Sequence, residues 1–159
     1  MPPGMMNQAC LIAFLSGKNE VPGPGDAKGY GVVTISIDTA AKTVSFEAMV
    51  ADLKLPATAS HIHKAAAGTA GGVVVDAKGA PDAQGMFKAT VTVTDDALLA
   101  DIVKNPSGYY YNVHNADFPG GAIRGQLGGM MDMTNMLPGA MMPMPNPPLM
   151  TTMVATPAK

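Results

Sequence analysis

Three histidines, His61, His63 and His114, and one arginine, Arg124, are the only imidazole and guanidinium groups in a chain of 159 residues. Any chemistry that needs such groups falls to these four. His61 and His63 stand at i and i+2 in the stretch ATASHIHKA (57–65), which reads as a strand. On a strand the two side chains leave the same face with alpha carbons roughly 6.5–7 Å apart, a span that two imidazoles can close onto one ion, while Ile62 points into the core. His114 ends the run YYYNVH (109–114) and shares its face with Tyr110 and Asn112, so a neighbouring pass of the sheet can supply a third nitrogen. Three imidazoles leave one coordination position open. Copper suits such a set, and zinc is the alternative. A zinc site would be hydrolytic or structural, with only Glu20 or Asp117 at hand as a hydrolytic base. Glu20 is also a candidate acceptor for the second ring nitrogen of a ligand histidine, and Tyr110 a candidate wall of the pocket.

The elements that must position these groups follow a period of two. VVTISI (32–37), TVSFEAMV (43–50), GMFKATVTV (85–93) and YYYNVH (109–114) are short, rich in Val, Ile, Thr and aromatics, and bounded by turn residues. LIAFLSG (11–17), ATASHIHKA (57–65), GGVVVD (71–76) and AIRGQL (122–127) complete a set of about eight strands. Strands at this spacing predict an all-β fold, an antiparallel sandwich or small barrel. One segment departs from the pattern. TDDALLADIVKN reads as a short helix capped by Thr94, with Leu98, Leu99, Ile102 and Val103 on one face.

Composition fixes the limits. Lys+Arg 10 against Asp+Glu 12 gives a net charge of -2, which leaves no basic footprint for nucleic acid. Cys10 is the single cysteine, so neither an internal disulfide nor a cysteine-held metal cluster can form. No apolar run reaches the roughly 18–20 residues of a membrane span, and no partner membrane is expected. The final stretch, 130–159, holds nine of the 14 methionines and six of the 14 prolines, with only Asp132 and Lys159 charged. The expected organisation is a flexible segment at 1–9, a folded β domain at 10–129, and a disordered, Met- and Pro-rich tail at 130–159. Thioethers are soft ligands, so MMDM (130–133) and MMPM (141–144) in that tail are candidates for Cu(I) capture.

NEVPGPG (19–25), GYG (29–31), SHIHKAAAGTAGGVV (60–74) and GYYYNVHNADFPGGAIRGQL (108–127) together resemble the CHRD domain family, named for its occurrence in chordin. Lys64 and Ala122 stand where that family often carries Gly and Glu. More distantly, the order of His-x-His, a later His and a Gly-Gly-x-x-Arg segment is similar to copper-zinc superoxide dismutase, an antiparallel Greek-key barrel. These resemblances imply a Greek-key β domain that binds one copper through His61, His63 and His114, with no zinc site. Arg124 would then be the catalytic cation near the open position, guiding superoxide, and the activity that of a copper-only dismutase. They also imply an extracellular or periplasmic location and are compatible with a homodimer. Copper delivery without turnover and a non-catalytic interaction module are the other functions they leave open.

Overall fold

The computed structural model describes residues 7–129. The first six residues and the stretch 130–159 lie outside the described residues, and with them the expectations of flexibility and Cu(I) capture. The chain forms β1 (Gln8–Ser16), β2 (Tyr30–Asp38), β3 (Thr43–Ala51), β4 (Ala59–Lys64), β5 (Val73–Asp76), β6 (Met86–Thr92), α1 (Asp96–Lys104), β7 (Tyr109–His114), β8 (Ile123–Gln126) and β9 (Gly128–Gly129). The strands make one sheet in the order β5-β4-β7-β8-β1-β2-β3-β6, with β9 added on β1. Every pairing is antiparallel.

Alternation places the core. Leu11, Ala13 and Leu15 of β1, Val33, Ile35 and Ile37 of β2, and Val44, Phe46 and Ala48 of β3 are buried, while their neighbours in sequence face outward. Phe46 on β3 meets Tyr111 on β7 with ring centroids 5.8 Å apart, although three strands separate β3 from β7 in the sheet. The sheet therefore curls back on itself around a single core. β5 and β6 are its two edges, so the barrel stays open. Consecutive strands β3 and β4, and again β6 and β7, lie in opposite halves of the order, which is the crossing pattern of a Greek key. The predicted fold class, antiparallel all-β with one short helix, is the fold observed.

Local differences have local causes. The helix is capped by Asp95, not Thr94: the Asp95 carboxylate accepts from Leu98 N at 3.0 Å while its carbonyl takes Leu99 N. Leu99 and Ile102 are buried in the core, and Leu98 and Val103 pack against it half-buried, which is the apolar face expected. β1 begins at Gln8, three residues earlier than the expected strand and two inside the segment expected to be flexible, because Gln8 pairs with Asp38 at the end of β2. β5 begins at Val73, since Gly71 and Gly72 serve a loop described below. β9 is two glycines and carries no side-chain pattern that could announce a strand. Among the described residues no helix is long and apolar enough to cross a membrane.

Candidate metal centre

β4 and β7 are neighbours, paired Ala59 with His114, His61 with Asn112 and His63 with Tyr110. That register puts His61, His63 and His114 on one side of the sheet and sends Ile62, fully buried, into the core on the other. Each histidine offers a ring nitrogen, and the three nitrogens lie within 4.8 Å of one another. His61 Nδ1 and His114 Nε2 are 3.2 Å apart. The sequence-predicted set is thus brought together from two strands that are adjacent in space and separated by about fifty residues of chain.

Hydrogen bonds decide which nitrogens face the shared space. His63 Nδ1 lies 2.8 Å from the Gly71 carbonyl and His114 Nδ1 2.9 Å from the Pro119 carbonyl. A carbonyl only accepts, so both Nδ1 atoms donate and both Nε2 atoms keep their lone pairs. His63 Nε2 is buried with no hydrogen-bond partner, which is costly for a polar atom unless something is bound there. The atoms presented are His61 Nδ1, His63 Nε2 and His114 Nε2. On the other flank of β4, pairing shifts between Ile62 and His63, so that His63 faces Val73 and Val74 is passed over. Such a bulge re-aims the strand at the point where His63 must turn toward its partners. Burial holds the pKa of His61 below the ordinary imidazole value, helped by His114 and His63 and opposed by Asp76. Burial lowers His114 as well, against the pull of its bond to Pro119. Neutral imidazole, the form that binds a metal, is thereby favoured.

The site is walled by an aromatic stack. The Tyr110 ring lies parallel to His63, centroids 4.7 Å apart at 5°, and the Arg124 guanidinium sits 3.4 Å from the centre of the same ring. Since β7 runs between β4 and β8, Tyr110 stands between His63 and Arg124. Tyr110 is therefore the expected wall. Arg124 rests on that ring; its Nη2 donates to Ala66 O and Gln126 Oε1, and burial lowers its pKa, with Tyr110 and Glu20 opposing.

Glu20 does not orient a histidine. It is 5% exposed, hydrogen-bonded to Asn112 and attracted by Arg124, and burial pushes its pKa up to about 7. Its cradle is made by glycine: a Cβ on Gly121, whose φ is +137°, would lie 2.5 Å from Glu20 Oε1. The groups that do orient the rings are the backbone carbonyls of Gly71 and Pro119, which sequence reasoning missed. Their only signal was the pair of glycine-bearing motifs, AGG at 70–72 and PGG at 119–121. Gly71 is held in turn by Tyr110, whose hydroxyl accepts from Gly71 N at 3.2 Å. A Cβ on Gly71 would meet Lys64 O at 1.9 Å, so only glycine permits that approach.

Compared with known families, residues 11–127 match the CHRD domain. The chain belongs to the CHRD domain family. The match spans all three histidines, the Tyr110 and Arg124 stack and Glu20. No curated protein and no solved structure matches this CHRD domain, so the likeness to copper-zinc superoxide dismutase rests on the order of the motif residues alone. What the CHRD domain presents is a three-histidine cluster compatible with metal binding.

Proposed function

We propose that this CHRD domain holds one copper ion through His61 Nδ1, His63 Nε2 and His114 Nε2 and acts as a copper-only superoxide dismutase. The observation that carries the metal is the orphaned His63 Nε2, buried and aimed at two other imidazole nitrogens while its own Nδ1 is tied down. An all-nitrogen set suits both oxidation states of copper, and the cluster includes no carboxylate or thiolate. Copper, when bound, would supply one-electron exchange with superoxide, giving oxygen and hydrogen peroxide. The protein's part is to keep His61 and His114 neutral, fix the His63 and His114 rings through Gly71 and Pro119, and brace His63 with Tyr110. His61 and His114 are half-exposed, which leaves a small anion a way in. Family membership is compatible with an extracellular or periplasmic location.

Copper holding or delivery without turnover is the second reading. It is favoured by Arg124, which is packed behind Tyr110 and is hydrogen-bonded away from the histidines. Metal analysis and electron paramagnetic resonance of the full chain test both. One copper per chain with nitrogen hyperfine structure, lost in His63→Ala, is expected; a zinc-only or metal-free protein that refuses copper would overturn the metal. Superoxide decay by the copper form separates the two readings, turnover supporting the first and inert copper the second.

A further inference from the structure

The half of the sheet without histidines carries an apolar row on its outer face. Register places Phe14 opposite Val32, Val32 opposite Met49, and Met49 opposite Met86, so side chains from four strands stand in one line. Phe14, Met49 and Met86 are 53%, 57% and 47% exposed, on the face where an antiparallel sheet ordinarily turns polar groups to water. A contiguous apolar patch of this kind marks a surface that binds something. The next row, Thr34, Glu47 and Lys88, is polar and confines it.

Val32, Met49 and Met86 line a cavity of about 520 Å³, and its charged residues are Glu47, Asp82 and Lys88. Those charges do not balance. Lys88 and Glu47 pair with each other at 3.2 Å, while Asp82 joins no ion pair among the described residues. Asp82 Oδ1 accepts from Gln84 N and Met86 N, which seats the exposed carboxylate beside Met86 at the end of the row and leaves Oδ2 outside these bonds. An apolar floor that ends in one uncompensated negative charge complements an amphiphile of the opposite sign. We propose that this cavity binds an organic monocation with an unbranched apolar chain, the chain lying along Val32, Met49 and Met86 and the ammonium at Asp82. From Val32 to Met86 is two strand spacings, about 10 Å, which accepts a hexyl or octyl chain. Thioether side chains are flexible and polarisable, so Met49 and Met86 can close over it. None of the three histidines lines the cavity, and the site needs no metal.

The experiment uses the metal-free full chain with isotope-labelled methionine methyl groups, at constant ionic strength. It is titrated with butylammonium, hexylammonium and octylammonium below their micellar concentrations, and with hexanol and hexanoate as the neutral and anionic counterparts. The Met49 and Met86 methyl signals, identified through Met49→Gln and Met86→Gln, should shift saturably in NMR spectra. Each added methylene should tighten binding about two- to fourfold. Hexylammonium should bind more tightly than hexanol, and hexanoate most weakly. Asp82→Asn keeps an acceptor for Gln84 N and Met86 N, so the turn survives; it should weaken hexylammonium about two- to fivefold, as for an exposed ion pair, and leave hexanol unchanged. No saturable shift at Met49 and Met86, affinity independent of chain length, hexanoate binding as tightly as hexylammonium, or hexylammonium unaffected by Asp82→Asn would each overturn the site.

Discussion

Glu20 and the two half-exposed histidines respond to pH with opposite signs. The Glu20 carboxyl keeps its proton in the folded chain to about pH 7, against 4.5 ordinarily, because burial outweighs the pull of Arg124 and Asn112. Its contribution to stability is complete below 4.5 and lost as pH rises through about 7. His61 and His114 have lowered values, so what they contribute is present above 6.5 and lost as pH falls below it. Replacing Glu20 with Gln removes the first trend and leaves the second. The metal-free variant should exceed the wild type by about 2 kcal/mol near pH 8 and match it below pH 4.5, read from urea denaturation at a series of pH values. A stability deficit of the same size at every pH would show that Glu20 acts by shape alone. At this scale the histidine cluster was legible, because imidazole is scarce in the chain and His-x-His has one geometric meaning on a strand. The role of Glu20 was not: its neighbours Gly121 and Asn112 come from the far end of the sequence.

Strands were legible where one face meets the core and the other does not, as along β1 to β3, and illegible where glycine removes the pattern, as at β9 and the start of β5. The loop between β4 and β5 shows why this matters. Gly71 looks like strand sequence, yet its carbonyl fixes the His63 ring and its N–H donates to Tyr110. A backbone acceptor leaves no trace in residue type. Gly71→Ala should push that carbonyl away from His63, because the new methyl collides with Lys64 O. Metal affinity is expected to fall about 10- to 100-fold, as for loss of other ring-orienting partners, in a competition titration against a chelator. An unchanged affinity would mean that Gly71 only completes the turn. In α1, Asp95→Ala should cost about 1 kcal/mol by loss of the cap to Leu98 N, without affecting metal affinity. Equilibrium unfolding and the same titration check both halves of that expectation.

Across the whole molecule, the two halves of the sheet depend on a few side chains that meet through the core. Phe46 touches both Phe87 on β6 and Tyr111 on β7, so it ties the half without histidines to the half that carries them. Phe46→Ala should lower stability by about 3–5 kcal/mol; chemical denaturation followed by tyrosine fluorescence measures it, and a loss below 1 kcal/mol would show that the halves hold together by backbone pairing alone. The fold class was readable because antiparallel alternation is a long-range property of the sequence. The open edges were not, since nothing in β5 or β6 says that they stop short of pairing.

The register of β4 on β7 has one more effect. A slip of a single rung in β4 would turn His61 and His63 inward and leave His114 alone outside, with every covalent bond intact. In a refolded batch, the fraction of chains that take up metal would then count the correctly threaded molecules, and coordination would serve as a proofreading assay for the barrel.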